Sequence, residues 1–216
     1  MTQTAQKTEP LLEIMRGQPV IPVLKIDRLE DAVPLARALA QGGLPAIEIT
    51  LRTPVGLEAI RLAAAEVPDA IVGAGTILNA AQFAAAEEAG ARFIVSPGTT
   101  DELIDAASNS AVPMLPGAAT PSEIMTALQR GYKVLKFFPA EQSGGASYLK
   151  ALSSPLAEVR FCPTGGIGAD NASAYLGLPN VICVGGSWVA PDRLLAEGAW
   201  DEIERLAREA SALKAG

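Results

Sequence analysis

Eight short apolar runs recur along this chain at steps of roughly 20–26 residues, each followed by a segment with helical spacing. That alternation constrains the fold more than any other feature. Parallel strands need a crossover between them, and a helix is the usual one. The first run is Val20-Ile21-Pro22-Val23-Leu24 and the second Ala46-Ile47-Glu48-Ile49-Thr50. The third is Ile71-Val72-Gly73-Ala74-Gly75, the fourth Phe93-Ile94-Val95-Ser96, and the fifth Val112-Pro113-Met114-Leu115-Pro116. The sixth is Val134-Leu135-Lys136-Phe137-Phe138, the seventh Arg160-Phe161-Cys162-Pro163, and the eighth Val181-Ile182-Cys183-Val184. Between them, Asp31 to Ala40 and Ala80 to Ala89 carry apolar residues at helical spacing, and Gly42-Gly43 and Gly90 supply helix stops. Eight such units predict an α/β fold, a single (β/α)8 TIM barrel over residues 1–216. An open doubly wound sheet, usually of about five or six strands, is the alternative. Leu11 to Arg16 is expected as an extra N-terminal helix across one end of the barrel. No domain boundary is visible.

Composition narrows the chemistry. The chain has 216 residues, 49% of them hydrophobic, enough for one large α/β core. Its net charge of −7 argues against nucleic-acid binding, which needs a basic face. No apolar run approaches the roughly 18–20 residues of a membrane span. Met1 to Pro10 is polar and holds no apolar signal core, so a cytoplasmic protein is expected. There is no histidine. This removes imidazole general bases, Ser-His-Asp triads and histidine-containing metal sites. Cys162 and Cys183 read as buried free thiols, with a disulfide as the minor alternative. Neither a metal nor an organic cofactor is expected. Acid–base work must fall to carboxylates, lysine, tyrosine, hydroxyls or water.

Lys136 stands in the middle of the apolar sixth run. A lysine among large apolar side chains loses part of the hydration that favours its ammonium form, which makes a nucleophilic amine available to attack a carbonyl. The plainer alternative is a strand-end lysine that snorkels its charge to water. In a parallel barrel the active site lies at the C-terminal ends of the strands, and the other polar residues must be weighed there.

In the second run Ile47, Ile49 and Leu51 share one face, while Glu48, Thr50 and Arg52 share the other. The polar face is expected inside the barrel mouth. Glu48 and Arg52 are also spaced to form an ion pair that closes the barrel. The third run ends Gly73-Ala74-Gly75-Thr76, which lacks the third glycine of a dinucleotide fingerprint because Asn79 stands there. It reads instead as a close-approach turn presenting the Thr76 hydroxyl. The seventh run leads into Thr164-Gly165-Gly166-Ile167 and the eighth into Gly185-Gly186-Ser187. Paired glycines after the last two strands let backbone N–H groups approach a phosphate without Cβ interference. Lys25 reads as a carboxylate holder or a solvated loop charge, Trp188 as packing, and Lys133 and Lys150 as surface residues. Glu141, after Pro139, orients polar groups or caps a helix.

Taken together, Ile47-Glu48-Ile49-Thr50-Leu51-Arg52-Thr53, Val72 to Thr76, Leu135-Lys136-Phe137-Phe138-Pro139-Ala140-Glu141, Phe161 to Ile167 and Gly185-Gly186-Ser187-Trp188 resemble one family across nearly the whole chain. It is the 2-keto-3-deoxy-6-phosphogluconate (KDPG) aldolases, which overlap with 4-hydroxy-2-oxoglutarate (KHG) aldolases. The resemblance implies a metal-free class I aldolase of the Entner–Doudoroff pathway on a (β/α)8 barrel, a cytoplasmic homotrimer acting on a phosphorylated keto acid. It implies that Lys136 is the Schiff-base lysine and Glu48 the general acid/base. Arg52 and Thr76 would hold the pyruvate-derived carboxylate end, and Thr164 would contact a substrate hydroxyl. Gly165, Gly166, Gly186 and Ser187 would cradle the phosphate. Some relatives carry arginine where this chain has Lys25, which keeps the charge but not the bidentate fork. Aldolases for the galactose-series epimer or for unphosphorylated 4-hydroxy-2-oxoglutarate are competing readings. A non-catalytic phosphosugar-binding barrel is a third, against which the intact Lys136 and Glu48 argue.

Overall fold

The computed structural model describes residues 7–213. The first six residues of the polar segment Met1 to Pro10, in which we read no signal core, lie outside the described residues. In chain order the elements are α1 (Thr8–Arg16), β1 (Val20–Leu24), α2 (Ala32–Gln41), β2 (Ala46–Thr50), α3 (Gly56–Glu66), β3 (Ile71–Gly75), α4 (Ala80–Glu88), β4 (Phe93–Val95), α5 (Asp101–Ser108), β5 (Met114–Leu115) and β6 (Gly117–Ala118). They continue with α6 (Pro121–Gln129), β7 (Val134–Phe137), α7 (Gly145–Leu152), β8 (Arg160–Pro163), α8 (Ala172–Leu176), β9 (Val184–Gly186), α9 (Asp192–Glu197) and α10 (Trp200–Ser211). Among the described residues, no helix is long and apolar enough to cross a membrane.

Every strand pairing is parallel. One sheet runs β5-β4-β3-β2-β1-β9 and the other β6-β7-β8. Bridges from Phe161 to Val181 and from Thr164 to Gly185 join β8 to the segment that contains β9, which in turn pairs with β1. The fifth predicted run is one strand position in two pieces. Pro116 separates β5, which pairs with β4, from β6, which pairs with β7. Proline has no N–H to give the ladder, so the partner changes there. Its carbonyl still accepts a bond from the Lys136 N–H at 2.9 Å. Gly117 is needed at this break, because a Cβ would lie 2.2 Å from the Pro97 carbonyl oxygen. The eighth strand also begins later than its apolar run: Val181 makes an isolated bridge and regular pairing starts at Val184.

The expected N-terminal helix is present, from Thr8 rather than Leu11. Leu11, Leu12 and Met15 pack against Ile21, Ala46, Phe93, Val95, Leu115, Val134, Cys162 and Cys183. Ile21, Ala46, Phe93 and Val134 stand at or next to the N-terminal ends of their strands, so α1 plugs the barrel floor. The Gln18 amide stitches β1 to β2 beside it: Nε2 donates to the Val20 and Ala46 carbonyls at 2.6 and 2.7 Å, and Oε1 accepts from the Ala46 N–H at 2.7 Å. A larger cluster fills the space between strands and outer helices, with Leu24, Ile47, Ile49, Val72, Ile94, Leu135 and Phe161 on the strand side. An apolar floor and an apolar outer layer leave the C-terminal strand ends as the polar end of the molecule.

Candidate active site

The two faces of β2 divide as their alternation predicts. Ile47 and Ile49 join the outer core, while Glu48 and Thr50 are buried on the other face, with Glu48 only 3% exposed. β7 brings Lys136 to the same interior, 5% exposed, although it is 88 residues away in sequence. Its Nζ lies 3.2 Å from Glu48 Oε1 and 5.3 Å from the centroid of the Phe138 ring. A buried ion pair carries a desolvation cost that its attraction only partly repays. Moving one proton from Nζ to Oε1 removes both charges and leaves a neutral amine facing a neutral acid. The arrangement is therefore suited to nucleophilic attack by the amine with proton exchange at the carboxyl.

Arg52 does not form the ion pair with Glu48 that its spacing allowed; the carboxylate pairs with Lys136 instead. β2 ends at Thr50 and the chain turns, so the strand alternation does not extend to Arg52. The exposed Arg52 donates from Nε to Thr50 Oγ1 at 2.9 Å, and Thr50 donates to the Leu24 carbonyl at 2.7 Å. Thr50 thus acts as a strut that anchors the guanidinium at its Nε edge. Thr76 follows β3 directly and has φ 61°, a strained conformation for a β-branched residue that is found where a site over-determines the backbone.

The last two strand ends lie side by side through the Thr164–Gly185 bridge. Thr164 Oγ1 is buried and has no hydrogen-bond partner among the described residues. A buried hydroxyl in this state is costly unless something else satisfies it. Gly165 and Gly166 both have positive φ, 106° and 74°. Among the described residues, the N–H groups of Gly166 and Ile167 find no acceptor, which leaves two successive donors on one loop. Gly186 is buried because the Trp188 ring covers it, so Trp188 is packing, as expected; Ser187 beside it is exposed.

The remaining charges sort plainly. Lys25 pairs with Asp27 at 2.7 Å, with both side chains largely in solvent. Lys133 pairs with Glu158 at 3.0 Å at the surface, and Lys150 is exposed. The Glu141 side chain accepts a hydrogen bond from the hydroxyl of Tyr175 on α8, a partner that the sequence reading missed. Cys162 and Cys183 are free and buried. A hydrogen bond with Cys162, together with burial, pushes the Cys183 thiol well above its ordinary range, which makes it a poor nucleophile.

A family model described as "Aldolase: KDPG and KHG aldolase" matches residues 11–206. A 2-dehydro-3-deoxy-phosphogluconate aldolase of Pseudomonas aeruginosa is 52% identical over 210 residues, covering 97% of this chain and 96% of that protein. The crystal structure of a KDPG aldolase from Legionella pneumophila, with pyruvate captured as a covalent carbinolamine intermediate, is 47% identical. It superimposes with a TM-score of 0.92 over 95% of this chain and 100% of that one. The aldolase of Zymomonas mobilis with 3-phosphoglycerate is 48% identical, with a TM-score of 0.88 over 94% and 95% of the two chains. The family match spans the barrel from α1 to α10, and the superposition covers 95% of this chain, so this chain belongs to the KDPG and KHG aldolase family.

Proposed function

We propose that this protein is a class I aldolase that cleaves KDPG to pyruvate and glyceraldehyde 3-phosphate in the Entner–Doudoroff pathway. The observation that carries this reading is the buried contact between Lys136 Nζ on β7 and Glu48 Oε1 on β2 inside the barrel. The Legionella enzyme's covalent carbinolamine with pyruvate supports an amine as the reacting group.

The reaction follows from the geometry. The Lys136 amine attacks the C2 ketone to form a carbinolamine, and loss of water gives an iminium. Glu48 removes the proton from the C4 hydroxyl, directly or through one water. The C3–C4 bond breaks, its electron pair moves into the iminium, and glyceraldehyde 3-phosphate leaves. The enamine takes a proton at C3 from Glu48, and hydrolysis frees pyruvate and the amine. Arg52 and Thr76 hold the carboxylate end, with Arg52 aimed by Thr50. The unsatisfied Thr164 hydroxyl takes a substrate hydroxyl. The Gly165-Gly166-Ile167 loop, with the free N–H groups of Gly166 and Ile167, and Gly186 and Ser187 on the next strand end, cradle the phosphate. In this reading the iminium is the electron sink, which a metal would otherwise supply. The family resemblance carries the further expectation of a cytoplasmic homotrimer, which a light-scattering mass in solution tests.

Borohydride reduction in the presence of pyruvate tests the assignment. The wild type should gain one three-carbon adduct on Lys136, and a folded Lys136→Met variant should gain none and lose cleavage. An adduct mapped to Lys133 or Lys25 would overturn it.

A further inference from the structure

Glu141 places a carboxylate beside the loop that offers N–H groups to an anion. That juxtaposition needs a reason, because a free carboxylate there repels a phosphate. The backbone fixes how close it is. Thr164 N–H donates to the Phe137 carbonyl at 2.9 Å, Ala140 N–H to the Thr164 carbonyl at 2.8 Å, and Glu141 N–H to the Gly165 carbonyl at 3.1 Å. The loop after β7 is thereby zipped to the loop after β8.

The orientation of the side chain resolves the conflict. A Cβ built on Gly166 would lie 2.7 Å from Glu141 Cγ and 2.8 Å from its Cβ. A Cβ built on Gly145, on the far side, would lie 3.4 Å from both Glu141 Oε1 and the Tyr175 hydroxyl. The methylenes of Glu141 therefore face the glycine loop, while the carboxylate points towards α7 and α8. Tyr175, 1% exposed, donates the hydrogen bond that holds it there. Burial, and then the neighbouring carboxylate, push the Tyr175 hydroxyl well above the ordinary tyrosine range, so it stays a donor into the alkaline region. The glycine loop is braced from within by Asn171, which accepts from the Gly168 N–H at 2.8 Å and donates to the Gly166 carbonyl at 3.0 Å.

We propose that Glu141 and Tyr175 are positioning residues for the phosphate half of the substrate: Tyr175 turns the Glu141 charge away from the glycine loop, so that its methylenes support Gly166 while its carboxylate stays clear of the phosphate. This inference rests on the aldolase reading above. It assigns a specificity role to a pair that touches neither the amine nor the pyruvate half.

Two variants release the charge by different routes. Tyr175→Phe removes the donor. Glu141→Asp keeps the charge but shortens the side chain out of reach of Tyr175, and it leaves the buried ring untouched should Tyr175→Phe fold poorly. Each should raise KM for KDPG by about five- to tenfold, the order expected of one nearby like charge. The rise should shrink as salt is added. Cleavage of unphosphorylated 4-hydroxy-2-oxoglutarate and borohydride trapping of pyruvate should change by less than about twofold. Glu141→Gln in the Tyr175→Phe background should restore most of the KM, because the amide keeps the length without the charge. The proposal is overturned if both releasing variants keep the wild-type KM for KDPG. It is equally overturned if the rise is the same for the unphosphorylated substrate, ignores salt, or persists in the double variant. If wild-type protein fails to trap pyruvate, the aldolase reading itself fails, and that result is distinct from each of these.

Discussion

A side chain at Gly75 would bring its Cβ to 2.1 Å from Glu48 Oε1, so the carboxylate that meets Lys136 occupies space that only a glycine on β3 leaves open. Gly73↔Glu48 and Gly75↔Thr50 are the register partners across this edge, and the carboxylate leans over the second of them. Gly75→Ala has no positive-φ penalty here, which leaves the clash as the main effect. It should displace Glu48 from Lys136 and lower kcat by about tenfold or more, with a stability loss of about 1–3 kcal/mol from overpacking. Steady-state cleavage and thermal unfolding measure the two effects. Wild-type turnover in Gly75→Ala would mean that the observed carboxylate position is not the working one.

Glu48→Gln keeps the shape but cannot accept the C4 hydroxyl proton. Turnover should fall by about 10²–10⁴-fold, the usual contribution of a general acid–base group. Pyruvate trapping on Lys136 should fall far less, because attack of the amine on the ketone needs no carbon–carbon cleavage. Turnover near the wild-type rate would reduce Glu48 to a structural ion-pair partner.

Local patterns made most of the barrel legible, because each strand–helix unit declares itself within about 25 residues. Strands β1, β2, β3 and β8 coincide with the apolar runs at Val20, Ala46, Ile71 and Arg160. The break at Pro116 was visible as a residue but not as a change of partner, since a sequence does not state which neighbour a strand end will pair with. The inward face of β2 was readable from alternation, whereas the partner of Glu48 was not. Arg52 is four positions away and Lys136 is 88, and ring closure decides for the distant one. The same holds for Glu141 and Tyr175, 34 residues apart, where no local signal links a loop carboxylate to a helical phenol.

Cleavage should survive exhaustive chelation, because the lysine iminium is the proposed electron sink. Assays after dialysis against EDTA should match untreated enzyme. Loss of activity restored by a divalent cation would contradict a class I mechanism.

The floor plug can be tested apart from the chemistry. Leu11 on α1 is fully buried against the interior ring of strand residues. Leu11→Ala should cost about 2–5 kcal/mol in denaturant unfolding, as large-to-small changes in packed cores do. Pyruvate trapping by the folded fraction should persist, since the amine lies at the opposite end of the barrel. A change of less than about 0.5 kcal/mol would mean that α1 only covers the floor rather than filling it.

Gly166 is where the phosphate proposal is most exposed. Its φ of 74° disfavours any side chain, and a Cβ there would press on Glu141 Cγ at 2.7 Å. Gly166→Val must therefore move the loop whose N–H groups face the proposed phosphate. KM for KDPG should rise at least about tenfold, the equivalent of one lost charge-assisted hydrogen bond. Trapping of free pyruvate should change little, because pyruvate has no group that reaches this loop. Inorganic phosphate should compete with KDPG in the wild type and lose that effect in the variant, since the chain's net charge of −7 offers an anion no general attraction. Equal damage to pyruvate trapping and KDPG cleavage would show that the substitution disturbs the whole barrel mouth. A wild-type enzyme that cleaves phosphorylated and unphosphorylated substrates equally well would remove the case for a phosphate site between β8 and β9.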